Sequence, residues 1–241
     1  MNKPRLIQIL KRSGLVNTRE EAMKIIKEGR VKIDGEPIYD IFYQTRPHRV
    51  TIDGKPVKLV EEMVYYLMNK PRGYSCQKMD DPNVLDLIKI ENKEIRNMLF
   101  TVGRLDVDTS GLIIITNDGA ILHKILKPEF DIWKTYEATV DKTIYPEKLE
   151  KFRKGLIIEV DGKEYKTLPA RIEKRGQFEY EIQIQEGKKR QIRKMLEIAG
   201  VACLKLHRQK IGGLELPKGL KEGQYIEVKK EDLKKIFRRD N

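Results

Sequence analysis

Hydrophobic positions in the first sixty residues follow a helical period and then a strand period. The apolar residues of "RLIQILKRSGL" recur at helical spacing, which predicts a helix that ends near Gly14. "NTREEAMKIIKEG" predicts a second helix, with Thr18 and Glu21 as a capping box and Gly29 as its stop. In "RVKIDGEPI" and "RVTIDGKPVKL", apolar and polar residues alternate around Asp-Gly turns. Residues 1–60 are therefore predicted to form two helices followed by a short meander of strands.

From Val64 onward, segments with a strand pattern outnumber those with a helical pattern. "VYYLMN" and "LIIIT" are continuous apolar runs typical of buried strands, whereas "KTYEATV", "YEIQIQ" and "YIEVKK" alternate like half-buried strands. "AILHKIL" and "RQIRKMLEIAG" have helical spacing. Because the strands do not alternate regularly with helices, their order favours an α+β fold with a mainly antiparallel mixed sheet flanked by helices. We predict two domains, a small helix–helix–strand module at residues 1–60 and a larger domain at residues 64–236.

The chain carries a large excess of positive charge. It has 49 lysines and arginines against 37 acidic residues, for a formal net charge of +12. Residues 1–60 are a quarter of the chain and contribute half of that excess. Such an excess favours a polyanionic partner, above all a nucleic acid. The alternative at this point is a merely basic protein without such a partner.

Composition also excludes several classes of protein. The two cysteines, Cys76 and Cys203, form no CxxC motif, and the three histidines are far apart, so neither a disulfide framework nor a metal site is predicted. No segment approaches the roughly eighteen consecutive apolar residues of a membrane span. The start "MNKPRLIQIL" is too short and too charged for a signal peptide. We expect a cytoplasmic protein.

The stretch "TVGRLDVDTSGLIIITNDG" places charged residues directly before a buried strand. If its backbone is extended, Arg104, Asp106 and Asp108 share one face, while Leu105 and Val107 anchor in the core. A carboxylate held rigidly at the end of a core strand is a plausible catalytic group. The alternative is an ordinary solvated loop.

Two later segments add an aromatic ring and a cluster of cations. In "KTYEATV", Tyr136 lies on the inward face of a predicted strand, where it either stacks on a ligand or packs in the core. In "EGKKRQIRKML", Arg190, Arg193 and Lys194 fall on one side of a helix. Five cations in seven residues repel one another unless acidic groups or phosphates lie opposite. The alternative for these cations is a solvated helix face.

The segment "RLIQILKRSGLVNTREEAMKIIKEGRVKIDG" resembles the S-four-type RNA-binding module. In that family, the second helix and the loop after it lie along RNA phosphates. Phosphate contacts supply affinity and salt dependence but little sequence choice. The resemblance implies the following RNA-binding candidates: Arg5, Lys11, Arg12, Arg19, Lys24, Lys27 and Arg30.

The blocks "NKPRGYSCQ", "VGRLDVDTSGLIIITNDG", "WKTYEATV" and "QEGKKRQIRKMLEIAG" follow one another in the chain. In this order they resemble the motifs of bacterial ribosomal pseudouridine synthases that carry a leading S-four-type module. "SCQ" is looser than the expected Ser/Thr-rich version. The resemblance implies isomerisation of a uridine within ribosomal RNA or a pre-ribosomal particle, after base flipping. The reaction transfers no group to another molecule and oxidises nothing, so no cofactor or metal is expected.

The same resemblance implies a role for individual residues. Asp106 matches the essential aspartate, which acts either as a nucleophile at C1′ or as a base at C2′, and Arg193 matches the cation that pairs with it. Tyr136 matches the tyrosine that stacks on the uracil and is a route for the C5 proton. Arg104 matches the arginine that fills the space of the flipped base, and Ile192 matches an apolar pocket residue. The predicted substrate-binding residues are Arg104, Ile192, Arg190 and Lys70.

Several alternatives remain open from the sequence. "LKLHRQKIGG" resembles small-subunit members and "KKRQIRKM" large-subunit members, and we favour large-subunit RNA because that branch is broader. A non-catalytic RNA-binding or ribosome-assembly protein accounts equally well for the charge but not for Asp106, Tyr136 and Arg193 together. A carbohydrate hydrolase using Asp106 and Asp108 conflicts with the single Trp133 and the net charge. We expect a monomer, because no exposed heptad or apolar stripe is evident.

Overall fold

The computed structural model describes residues 3–16, 18–126 and 130–238. The chain divides into two compact units. The amino-terminal unit comprises Met1–Met63 and Lys89–Phe100, and the large unit comprises Val64–Ile88 and Thr101–Asn241. The α+β class predicted from the sequence is confirmed.

The amino-terminal unit has the predicted helix–helix–strand order. Thr18 caps the second helix by accepting the Glu21 N–H over 3.1 Å. Both Asp-Gly turns have positive φ at the two central residues, as type I′ hairpin turns require. The strands pair antiparallel in the order β2-β1-β3-β4. Its elements are α1 (Leu6–Arg12), α2 (Arg19–Lys27), β1 (Val31–Ile33), β2 (Glu36–Pro37), β3 (Val50–Ile52), β4 (Lys55–Pro56) and α3 (Lys93–Met98).

Helix α3 groups with the amino-terminal unit although it is distant in sequence from the rest of it. The Asn97 side chain donates to the Gly14 carbonyl over 2.9 Å. Gly14 has a φ of +71°, and a Cβ there would lie 2.6 Å from Glu94. Glycine at the end of α1 therefore permits both the left-handed backbone and the close packing of α3.

Among the described residues, nine strands of the chain form one sheet. Its order is β11-β12-β8-β13-β7-β5-β15, with β14 beside β13 and β6 beside β7. The pair β13–β7 is parallel and the other pairs along this order are antiparallel, so the predicted mainly antiparallel mixed sheet is confirmed. The strands are β5 (Tyr65–Lys70), β6 (Phe100–Val102), β7 (Ser110–Thr116), β8 (Lys134–Val140), β11 (Arg171–Lys174), β12 (Glu179–Ile184), β13 (Cys203–Ile211), β14 (Leu214–Glu215) and β15 (Tyr225–Glu227), and a separate hairpin is formed by β9 (Ile157–Val160) and β10 (Lys163–Lys166).

The adjacent strands β5 and β7 are the most buried part of the sheet. Every residue of β5 and β7 is buried, as the continuous apolar runs predicted. Gly111 in β7 has a φ of +111°, and a Cβ there would lie 2.3 Å from the Arg208 carbonyl oxygen. This glycine therefore allows β7 and β13 to approach closely. The helices of the large unit are α4 (Gly119–Leu126), α5 (Pro146–Lys154) and α6 (Gln191–Ile198).

Two further observations concern metal ions and membranes. Within the described ranges, no group of three or more His, Cys, Asp or Glu side chains is placed to hold a metal ion. In the same ranges no helix combines the length and the hydropathy that crossing a bilayer requires.

Candidate active site

The loop that carries Asp106 follows β6 and leads into β7. The predicted extended backbone would anchor both Leu105 and Val107 in the core. Leu105 is buried, but 50% of the Val107 surface is exposed, so the prediction is right for Leu105 and wrong for Val107. The reason is a turn, since the Thr109 N–H donates to the Asp106 carbonyl over 3.0 Å and Val107 lies within that turn. Arg104 is exposed and Asp106 is half-buried.

A buried lysine holds this loop from the core side. Lys70, the last residue of β5, has no exposed surface. Its ammonium group donates to the carbonyls of Pro71 and Thr109 over 2.9 Å each and lies 3.5 Å from the Val107 carbonyl. Burial lowers the pKa of Lys70. The sequence predicts a substrate contact for Lys70, whereas its ammonium group instead binds the loop that carries Asp106.

A second anchor lies on the other side of Asp106. The Leu105 N–H donates to the Cys76 sulfur over 3.3 Å, and the Cys76 thiol donates to the Leu105 carbonyl over 3.4 Å. The Gly73 N–H donates to the Val107 carbonyl over 2.8 Å. Burial raises the pKa of the Cys76 thiol, which keeps it protonated and able to donate. Both neighbours of Asp106 are therefore fixed by the segment that follows β5.

Asp108 binds two arginines, Arg193 on α6 and Arg190 directly before that helix. Arg190 donates to both carboxylate oxygens of Asp108, over 3.0 and 3.3 Å. The Nε of Arg193 lies 3.2 Å from the same carboxylate, and its two terminal nitrogens donate to the carbonyls of Asp108 and Cys203 over 2.9 Å each. The resemblance implies a pair between Arg193 and Asp106, whereas the ion pair of Arg193 in this structure is with Asp108. Asp108 is thus the link between the loop and α6.

The carboxylate of Asp106 differs from that of Asp108. None of the residues that the structure describes forms a hydrogen bond or ion pair with the Asp106 side chain. Its charge nevertheless acts on the ammonium of Lys70 and the guanidinium of Arg190, favouring the charged form of each. Among the described residues, Asp106 is therefore a carboxylate without a hydrogen-bond or ion-pair partner, on a firmly held loop near the cations Lys70 and Arg190. Such an unengaged carboxylate on a rigid loop is typical of catalytic groups.

The sheet register fixes Tyr136 relative to this loop. Tyr136 on β8 is 7% exposed, and the buried Ala138 lies on the same face of the strand, as predicted. Arg208 on β13 lies opposite Tyr136 on one side and opposite Gly111 on the other. Tyr136 is therefore two strands, or about 10 Å, from Gly111, which lies five residues after Asp106. Ile192, the predicted pocket residue, is buried on α6.

Two cations on the Tyr136 side of the sheet are not among the predicted site residues. Arg208 is 5% exposed, and its Nε donates to the Leu112 carbonyl over 2.8 Å. Its Nη2 has no hydrogen-bond partner among the described residues. Burial, with the nearby charge of Arg208, lowers the pKa of Lys134 to about 8. The signal in the sequence is that Lys134 interrupts the buried alternation of "KTYEATV", as Arg208 interrupts that of "LKLHRQKI".

The predicted RNA-binding residues are all exposed and belong to the amino-terminal unit: Arg5, Lys11, Arg12, Arg19, Lys24, Lys27 and Arg30. Arg30 is occupied by acidic neighbours. It donates to both carboxylate oxygens of Asp53, over 2.8 and 2.6 Å, and to Glu28 over 3.2 Å. A phosphate would therefore compete with two carboxylates for Arg30.

Comparison with known protein families gives two matches. Residues 64–198 match the RNA pseudouridylate synthase family, and residues 4–41 match the S4 domain. A solved structure described as a pseudouridylate synthase superposes with a TM-score of 0.71 at 30% sequence identity, covering 97% of this chain and all of that one.

Two curated relatives are similar to almost the whole chain. The ribosomal small subunit pseudouridine synthase A of Escherichia coli (strain K12) is 31% identical over 220 residues, which cover 91% of this chain and 94% of that protein. The ribosomal large subunit pseudouridine synthase B of Bacillus subtilis (strain 168) is 34% identical over 242 residues, which cover 96% and 95%.

Proposed function

The chain belongs to the RNA pseudouridylate synthase family, and we propose that it isomerises a uridine of ribosomal RNA to pseudouridine. The observation that carries the proposal is the unengaged carboxylate of Asp106, on a loop that Lys70 and Cys76 fix on both sides. Membership in an enzyme family leaves the two rival interpretations, a non-catalytic RNA-binding protein and a carbohydrate hydrolase, without support.

The target uridine has to leave its stack before it can reach Asp106. Flipping the nucleotide costs a few kcal/mol. Stacking of the uracil on the ring of Tyr136 offsets about 1–3 kcal/mol of that cost. We propose that Arg104, which is exposed two residues before Asp106, occupies the space that the base vacates. The buried Ile192 supplies an apolar wall to the pocket.

The chemistry needs an ionised carboxylate at the sugar. Asp106 either attacks C1′ and forms an ester or takes the proton from C2′ and leaves a glycal, and in both cases the N1–C1′ bond breaks. The uracil then turns and C5 bonds to C1′. In the ester path the Asp106 carboxylate leaves C1′ as this bond forms, and in the glycal path Asp106 returns the proton to C2′, so it ends unchanged in both. Finally C5 loses its proton and N1 gains one, so the product is an isomer of the substrate. Tyr136 is the proposed route for the C5 proton.

The cations around the loop have separate roles in this scheme. Arg193 and Arg190 hold Asp108 and so fix the position of the loop relative to α6. We propose that Arg190, whose side chain is 46% exposed, also contacts RNA phosphates. We further propose that the protein acts as a monomer in the cytoplasm and requires neither a metal ion nor a cofactor, because the isomerisation involves no redox step.

Large-subunit RNA is the proposed substrate, and small-subunit RNA is the alternative. Both curated relatives cover more than nine tenths of the chain, and their identities differ by little, at 34% for the large-subunit enzyme and 31% for the small-subunit enzyme. The block "KKRQIRKM" favours the large subunit and "LKLHRQKIGG" the small subunit.

The test uses transcripts of both ribosomal RNAs that carry tritium at C5 of uridine. The isomerisation replaces the C5 proton, so each turnover releases label into water. We expect the protein to release label from large-subunit RNA. Release from small-subunit RNA alone would support the alternative substrate, and release from neither RNA, as naked transcript or pre-ribosomal particle, would contradict the proposed function.

A further inference from the structure

Two arginines of the amino-terminal unit lie over a half-exposed aromatic ring. Phe42 is 47% exposed. The guanidinium carbon of Arg5 lies 5.5 Å from the centre of its ring, and that of Arg19 lies 5.4 Å away. We call Phe42, Arg5 and Arg19 the Phe42 cluster. Tyr39 and Tyr43, on the same loop, are 66% and 41% exposed, so the loop presents three partly exposed aromatic residues.

The loop that presents Phe42 is fixed on both sides of the ring. The Ile7 N–H donates to the Ile41 carbonyl over 3.0 Å, and the Leu6 N–H donates to the Tyr43 carbonyl over 2.8 Å. The Phe42 N–H itself donates to the Asp40 carboxylate over 2.8 Å. Since the loop is tied to the start of α1, a ligand that stacks on the ring does not first have to order it.

Arg5 and Arg19 differ from two other arginines of the same unit in having no acidic partner among the described residues. Arg30 binds Asp53 and Glu28, and Arg49 binds Asp34. Neither Arg5 nor Arg19 forms an ion pair with any residue that the structure describes. The cluster therefore offers a half-exposed aromatic ring and two guanidinium groups that no acidic group of the described residues neutralises.

We propose that the Phe42 cluster binds an unpaired nucleotide of the RNA substrate, with the base stacked on the Phe42 ring and the adjoining phosphates on Arg5 and Arg19. The chemistry fits an unpaired nucleotide because its base has a free face, whereas bases in a duplex are already stacked on one another. This inference rests on the proposed function, in that the substrate is RNA. It adds that the amino-terminal unit selects single-stranded or looped segments and does not bind phosphates alone.

The test measures binding of the full-length protein to a fluorescent oligouridylate and to a fluorescent RNA duplex of the same length. Phe42→Ala and Phe42→Leu should weaken oligouridylate binding by about 5- to 150-fold, the range expected from loss of one stacked base. Duplex binding should be unchanged in both variants. Phe42→Leu keeps a large apolar side chain, so a loss of oligouridylate binding in this variant is attributed to the missing aromatic face.

Salt dependence separates stacking from charge. Neither Phe42 variant should change the slope of log affinity against log salt, whereas Arg19→Gln should reduce it by about 0.7, the value for one phosphate contact on a single strand. Tyr145→Ala is the matched control, because Tyr145 is an exposed aromatic (67%) of the large unit. It should bind both probes as the wild type does.

Three results would overturn the inference. These are wild-type oligouridylate binding by Phe42→Leu, equal losses for both probes in the Phe42 variants, and an equal loss in Tyr145→Ala. Tritium release by the wild-type protein is measured in parallel. Failure of the proposed function appears there as an absence of release, whereas failure of the Phe42 inference appears as unchanged binding in an enzyme that does release label.

Discussion

Replacement of Lys70 by methionine distinguishes two interpretations of this residue. Methionine is similar in length but has no donor, so Lys70→Met removes the bonds to the Pro71 and Thr109 carbonyls, each 2.9 Å long. If Lys70 contacts RNA, as the sequence predicts, the variant should raise KM. If Lys70 holds the loop that carries Asp106, the variant should lower kcat and leave KM for the RNA unchanged.

The effect of Lys70→Met on stability should be small, because two terms oppose each other. Each lost hydrogen bond from a charged donor is worth about 1.5–3 kcal/mol. Burying the ammonium group, which has no exposed surface, costs several kcal/mol, and the variant removes that cost. We expect the free energy of unfolding to change by less than about 2 kcal/mol. A displacement of Asp106 by about 1 Å would lower kcat about 100-fold.

The assay is single-turnover tritium release, with urea denaturation to measure stability. Lys174→Met is the matched control, because Lys174 is an exposed lysine on β11 far along the sheet order from β5. It should behave as the wild type in both measurements. A Lys70→Met variant with a raised KM and an unchanged kcat would refute the positioning role.

Three further predictions concern packing, charge and titration. Gly111→Ala should lower the free energy of unfolding by several kcal/mol in urea denaturation, because Gly111 has a φ of +111° and an added Cβ would lie 2.3 Å from Arg208. Gly119→Ala is the control, because a Cβ there meets nothing within 4 Å. Equal effects of the two substitutions would contradict the role of close packing at Gly111. Asp108→Asn should lower the free energy of unfolding by about 1–2 kcal/mol, because it removes the ion pair with Arg193. The loss is moderate because Asp108 is 44% exposed and solvent partly screens the pair. An unchanged urea midpoint would argue against the link between this loop and α6. The pKa of Lys134 is about 8 in the folded protein against 10.5 for a free lysine, so between these pH values the unfolded state binds more protons. Stability of the wild type should therefore rise relative to Lys134→Met over this window, by up to about 3 kcal/mol, and parallel pH profiles would count against the depressed pKa.

Features that depend on local chemistry could be predicted from the sequence. The two amino-terminal helices, the Asp-Gly turns and the buried strands β5 and β7 follow from side-chain period and turn residues, which act over a few positions. The inward placement of Tyr136 follows from strand alternation in the same way. These are short-range effects, so a single sequence contains the information they require.

Features that depend on contacts between distant parts of the chain could not be predicted from the sequence. Val107 is exposed because a turn replaces the extended strand, and the bonds from Lys70 and Gly73 that fix this turn come from a segment more than thirty residues earlier. Helix α3 joins the amino-terminal unit through Gly14, a contact that leaves no periodic signal. Arg193 pairs with Asp108, a residue 85 positions earlier, and the sequence does not indicate which of two carboxylates two residues apart it will meet.

We propose that the Asp106 carboxylate, on its anchored loop, carries out the isomerisation. The most direct measurement is single-turnover tritium release by wild-type protein and Asp106→Asn, both at concentrations that saturate the RNA. Asparagine has nearly the same shape but can act neither as nucleophile nor as base, so we predict that Asp106→Asn binds the RNA like the wild type and releases no label. Release at the wild-type rate by Asp106→Asn would show that the Asp106 carboxylate is not the catalytic group.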